Sequence, residues 1–363
     1  MSVADLFLPL PLLHGPAMKN RFMLAPLTNQ QSEPDGTATE YDVEWVSRAA
    51  RGGYALTQTC ASHILPGGKT FFGQLGIYSD EQLPGLRRVA EGIRAGGSLS
   101  AVQLQHGGHR VAPELGGVQA PASDDPHTGA KAMTTEEVGK MRDSFIAAAL
   151  RAQHAGFDGV CAHGAFGFVL SEFLSPLLNT RQDEYGGSLE NRSRLIFEVV
   201  EGIRAQAGPT FQIGLRLSVE RHGLRLEDLR DLAAEAFRRR NIDYLDLALW
   251  DSRQVVQDGP NKGRTMLSVF TELDRGPVRL GTAGKIMTAQ RAGELLDEGC
   301  DFVLIARAAI LRADFPQRVA ADPHYTSPAL PVTEAFLRDE GLSPPFINYM
   351  RTTWPNFVAD RAA

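Results

Sequence analysis

The sequence predicts an α/β protein folded as one (β/α)8 TIM barrel, and three observations carry that expectation. Eight short, apolar, β-branched runs alternate with longer amphipathic stretches, no linker-like Ser/Pro tract interrupts them before about residue 323, and 363 residues are ample for one large barrel. Repeated strand-then-helix order implies parallel pairing, and this many units close into a barrel more readily than they divide into two doubly wound sheets.

Strands are expected at residues 21–28, 54–61, 99–106, 159–163, 211–218, 244–250, 278–281 and 302–307. Helices are expected at residues 40–51, 81–95, 135–155, 189–207, 226–240, 266–273, 289–298 and 314–321. Segment 107–131, rich in Gly, Pro, Ser and Asp, reads as a long insertion after the third strand, on the face where such barrels keep their active sites. In the helix that follows, Phe145, Ala148, Ala149 and Ala152 recur at helical spacing, Thr134 or Thr135 caps the start, Glu136 and Glu137 fill the first turn and Gly156 marks the stop. The next helix repeats the pattern with Leu195, Ile196, Val199, Val200 and Ile203, ending before Gly208. Residues 1–322 then form the barrel and 323–363 a C-terminal tail.

Composition narrows the function classes. With 43% hydrophobic and 22% charged residues, the chain is neither disordered, collagen-like nor a coiled coil. A net charge of −6 and the absence of a basic block argue against nucleic acid as a partner. Cys60, Cys161 and Cys300 are odd in number, far apart and inside apolar segments, which suggests buried thiols in a reducing compartment. The apolar N-terminal patch is preceded by Asp5 and broken by Pro9, Pro11 and Pro16, so it does not read as a signal peptide, and no run approaches the ~20 apolar residues of a membrane span. A cytoplasmic enzyme with a small-molecule substrate and no membrane partner is expected.

Barrel chemistry sits at the C-terminal ends of the strands. Those ends are polar here: Thr28, Gln58 and Thr59, Gln103 and His106, His163, Arg216, and Arg307 after Ala306. Any one of these would persist as a hydrogen-bonded structural group, but together they mark a site. The turn Gly281-Thr282-Ala283-Gly284 after the seventh strand and Arg307 after the eighth suit a phosphate, because close backbone N–H groups and a planar guanidinium satisfy its oxygens. Gly67-Gly68-Lys69-Thr70 imitates the end of a P-loop, yet the first glycine of that pattern would fall on His63. His106, His109 and His163 leave a metal-dependent barrel hydrolase open as an alternative.

Residues 175–194, SPLLNTRQDEYGGSLENRSR, closely resemble the old yellow enzyme family of FMN-dependent oxidoreductases, and the likeness extends from about Leu6 to about Pro316 through Ala25-Pro26-Leu27-Thr28, Gln103-Leu104-Gln105-His106 and Phe157-Asp158-Gly159-Val160. The resemblance implies FMN across the barrel mouth and NAD(P)H as reductant, with hydride passing through flavin N5 to a conjugated or otherwise electrophilic, hydrophobic acceptor. It implies that the Ala25–Thr28 backbone runs along the flavin with the Thr28 hydroxyl near O4. Thr59 and Gln103 would attend the pyrimidine half, Arg216 the N1 and O2 edge, and Ala283, Gly284, Ala306 and Arg307 the phosphate, with Ala306 standing where the family usually has Gly.

The same resemblance exposes departures. Relatives end the fourth strand with His, then Asn or His, then a proton-donating Tyr; here the run is His163-Gly164-Ala165-Phe166-Gly167-Phe168. His163 is kept as a carbonyl donor, but Phe166 and Phe168 have nothing to donate. They and Trp250 are expected to line an aromatic cleft. His109 stands where the family more often has Arg. Loss of the donor also leaves open a flavin-dependent isomerase or dehydrogenase, or a flavin binder without turnover. Some relatives lend C-terminal residues to a neighbouring subunit, so Arg351 or Trp354 would close the cleft in a homo-oligomer; an unpacked terminus is the other expectation for the tail.

Overall fold

The computed structural model describes residues 2–359; Met1 and residues 360–363, the outer ends of the predicted barrel and tail, lie outside them. Parallel strands β1 (Phe22–Leu24), β2 (Leu56–His63), β3 (Leu99–Gln105), β4 (Gly159–Gly164), β5 (Gln212–Leu217), β6 (Tyr244–Ala248), β7 (Arg279–Ala283) and β8 (Phe302–Ile305) close into a barrel in chain order. The seam pairs Phe22, Met23 and Leu24 with Val303, Leu304 and Ile305. All eight predicted strands exist. β1 stops short of the expected span because Pro26 has no N–H to continue a ladder.

The helices are α1 (Glu40–Arg51), α2 (Leu83–Ala95), α3 (Thr135–His154), α4 (Val169–Leu174), α5 (Leu189–Ala207), α6 (Leu226–Arg239), α7 (Ser268–Thr271), α8 (Ala289–Asp297), α9 (Arg307–Leu311), α10 (Phe315–Ala321), α11 (Glu334–Asp339) and α12 (Pro344–Thr353). Caps fall where the sequence placed them: the Thr134 hydroxyl accepts the Glu137 N–H at 3.2 Å, and Glu137 returns a bond to the Thr134 N–H at 2.7 Å. The short helices α4 and α9 were not expected, since five or six residues carry too little periodicity to register. None of the helices among the described residues is long and apolar enough to cross a membrane.

Inside the barrel, Met23, Leu56, Tyr244, Phe302 and Leu304 form a cluster of their own, apart from the larger shell between strands and helices. Tyr244 and Phe302 meet edge to face at 5.8 Å. Gly214 and Gly281 make room for them, because a Cβ there would lie 2.3 Å and 2.2 Å from the Tyr244 and Phe302 rings. Leu10 and Met18 join this cluster from an N-terminal segment that plugs the strand starts. That plug is fastened by Asp243, fully buried, which accepts from the His14 N–H at 2.7 Å and pairs with Arg204 at 2.8 Å. The closed lower end leaves the upper mouth as the site for a ligand.

The tail is packed, contrary to the expectation of a loose terminus. Phe346 of α12 meets Trp45 of α1 at 5.1 Å, edge to face, and Ser343 bonds Gln31 in the loop after β1. Thr333 and Ser343 cap α11 and α12 through the Phe336 and Phe346 N–H groups. Trp354 stacks on Trp250 of the same chain at 6.1 Å and 28°, so the tail roofs its own barrel mouth.

Candidate active site

A cavity of about 560 Å³ opens at the C-terminal ends of the strands, within the size range of small-molecule sites. Every strand contributes to its wall: Ala25–Thr28 after β1, Ala61 from β2, Gln103 from β3, His163 from β4, Arg216 from β5, Ala248 to Trp250 after β6, Ala283 and Gly284 after β7, and Leu304, Ala306 and Arg307 after β8. The loops add Phe166, Phe168 and, from α12, Tyr349 and Met350.

His163 is buried, with Phe166 at 5.7 Å and Phe168 at 5.1 Å, both edge to face. Burial, reinforced by Arg216 and Arg110, holds its pKa well below the usual imidazole value, so the ring is neutral. Phe166 adopts φ 60°, a left-handed conformation rare for a bulky side chain. Its N–H donates to Ser218 Oγ at 3.0 Å and its carbonyl accepts from Arg110, which hold the ring over the cavity. The Arg110 guanidinium lies over Phe168 at 4.9 Å.

Arg216 forms a buried ion pair with Asp246. Burial pushes the Asp246 carboxyl up to about 6, against the pull of Arg216. Three buried nitrogens around the cavity have no partner: Gln103 Nε2, His163 Nδ1 and Arg216 Nε. Buried polar atoms are nearly always satisfied, so this set fits the polar edge of a ring bound in the mouth. Arg307 makes no salt bridge among the described residues, and Gly284, at φ 137°, lets the β7 turn press against the Ser252 amide, where a Cβ would lie 2.6 Å away. An unpaired guanidinium beside a glycine turn fits a phosphate. The residues therefore match the cofactor that the sequence resemblance implies.

Two expectations need correction. Thr59 does not reach the cavity: its hydroxyl is spent on the Cys60 carbonyl at 2.8 Å, and Ala61 takes the wall position. The β2–β3 register shifts between Gln58 and Ala61, a bulge that displaces the strand end. The histidines do not form a metal centre. His106 Nδ1 accepts the Gly108 N–H at 3.1 Å and His109 Nδ1 lies 3.0 Å from Glu172, while His163 faces the cavity. Among the described residues no cluster of three or more His, Cys, Asp or Glu can hold a metal. Lys69 of the P-loop imitation bonds the Pro34 carbonyl, and Gly68 packs on His106. In the aromatic, basic run 348–354 the sequence pointed to Arg351 or Trp354; Trp354 lines the cavity, Arg351 does not, and Tyr349 of the same run, not singled out, does.

Segment 175–194 touches none of the cavity. Asn179 bonds the Phe173 and Tyr185 carbonyls at 2.7 Å, and Arg192 reaches the Leu174 carbonyl and Asp228. Its polar residues brace α4, which carries the Phe166–Phe168 loop.

A barrel mouth with a neutral, aromatic-flanked histidine, and with an arginine and a glycine turn in the same wall, fits an enzyme that anchors a cofactor by its phosphate. Residues 5–324 match the NADH:flavin oxidoreductase / NADH oxidase family, and the chain belongs to it: an FMN-dependent oxidoreductase with NAD(P)H as reductant. It is 32% identical to the probable NADH-dependent flavin oxidoreductase YqiG of Bacillus subtilis over 334 residues, covering 88% of this chain and 86% of that protein. It is also 32% identical to an NADPH dehydrogenase of Bacillus licheniformis over 332 residues, 88% of this chain and 95% of that one. The structure of morphinone reductase in complex with tetrahydroNAD superposes with a TM-score of 0.77 at 27% identity, covering 92% of this chain and 94% of that chain.

Proposed function

We propose that this oxidoreductase reduces a flat, hydrophobic, conjugated or otherwise electrophilic acceptor held between Phe166, Phe168 and Trp250. The observation that carries the reading is the aromatic wall around His163, which replaces the donors expected there with apolar surface. When bound, FMN takes hydride from NAD(P)H and gives it to the acceptor.

The chain's own residues divide the remaining work. Thr28, Gln103 and Arg216 would hold the polar edge of the ring, with Ala25, Pro26 and Leu27 along it. Ala283, Gly284, Ala306 and Arg307 would hold the phosphate. The Arg216 cation opposes negative charge on the ring, and Asp246 fixes its position. Neutral His163 donates one hydrogen bond to an acceptor carbonyl without carrying a charge. With Phe166 beside it, one oxyanion-type donor is absent, a loss of about 10²–10³ in rate for carbonyl-activated alkenes.

The test is anaerobic. FMN-loaded protein should be bleached by NADH or NADPH and recoloured by cyclohexenone and by a quinone. Flavin that neither nicotinamide bleaches would overturn the reading.

A further inference from the structure

Resting on that reading, we propose that Tyr349, on the C-terminal helix α12, is the acid that protonates the acceptor. Phe168 has no proton to give, yet reduction of a C=C bond requires one. Among the described residues lining the cavity, Tyr349 is the only phenol.

The competing groups are poor donors. His163 and His222 are both pushed below the usual imidazole range by burial and by neighbouring cations, so they hold no surplus proton near neutrality. The four lining arginines do not release protons. Lys285 is paired with Asp251 at 3.1 Å, and Glu220 is engaged by the Trp250 N–H and the Gln254 amide. Thr28 and Ser218 are alcohols, weaker acids than a phenol.

Tyr349 is also held in place. Burial pushes its phenol above the usual value, while the neighbouring Trp354 and Thr28 side chains pull the other way. Trp354 is itself stacked on Trp250, a residue of the proposed acceptor wall. The helix thus sets Tyr349 in the same cavity wall as Thr28, the residue proposed to meet the cofactor's polar edge. In the step, one alkene carbon receives the hydride that originated on NAD(P)H, and its neighbour receives the Tyr349 proton. The π bond is spent, two C–H bonds form, and the tyrosinate regains its proton from solvent.

The test compares half-reactions of holoenzyme. Tyr349→Phe should leave FMN binding, reduction by NAD(P)H and reoxidation by a quinone unchanged, and slow reoxidation by cyclohexenone by about 10²–10⁴. Adding Phe168→Tyr to that variant should recover much of the loss, and in apoprotein Tyr349→Phe should delete one late-ionising phenol from the tyrosinate absorbance titration. An enone rate unchanged by Tyr349→Phe overturns the assignment while leaving the function standing, and loss of FMN binding reassigns Tyr349 as a cofactor contact. Wild-type enzyme that quinones reoxidise but enones never do overturns the acceptor reading, and the role of Tyr349 with it.

Discussion

At the scale of single residues, His163 illustrates how neighbours set a chemical role. Two phenylalanine rings and two arginines surround it and keep it neutral, which suits the proposed role of hydrogen-bond donor rather than acid. His163→Ala should weaken the charge-transfer complex of a phenol with the holoenzyme by about 1.5–3 kcal/mol, the worth of a hydrogen bond to a charged partner. Unchanged phenol affinity in a spectral titration would remove His163 from the acceptor site. Alone, a histidine at a strand end reads as a structural group; this one was legible through the coincidence of polar strand ends and the family resemblance. Tyr349 was only half legible: the tail run that contains it suggested closure of the cleft by Arg351 or Trp354, but not which of its rings faces the cavity.

At the scale of elements, strand ends and turns decide what reaches the cavity. The bulge in β2 carries Thr59 away and brings Ala61 in. Alternation along Leu56–His63 contains no mark of it, because every residue of that strand is buried and polar and apolar positions look alike. The β7 turn was easier to read, since a glycine directly after a strand invites a close approach. Gly284→Ala forces a side chain onto the Ser252 amide at φ 137°. It should cost more than about 1 kcal/mol of stability and lower FMN affinity, measured by urea unfolding and by flavin titration; wild-type values in both would place the phosphate elsewhere.

At the scale of the whole molecule, the barrel order, the eight strands and the main helices were all legible, because each strand and helix declares its own period. The packed tail and the short helices were not, since their structure depends on surfaces far away in sequence. Buried charge sets the pH response. Burial holds His63 down to about 4 and His106 to about 3, and His163 is also depressed. Unfolded, all three would take up protons below about 6.5. The unfolded chain then binds more protons than the fold, so acid destabilises. Asp42 and Asp246, pushed up to about 6 by burial, act in the opposite sense. With His222, which burial and neighbouring cations also depress, the histidines outnumber them by two, so stability falls as the pH drops from about 6 to 4.5. Denaturant midpoints that rise on acidification would contradict this.

The brace formed by Asn179 and Arg192 has a consequence for classification. The stretch by which this chain is most readily grouped with its kin props up a loop and lines none of the cavity, so likeness there reports architecture and not the reaction. A change at the catalytic end of that loop would leave the signature of kinship intact. Chains that share the brace are best sorted by what stands at the tip of the propped loop.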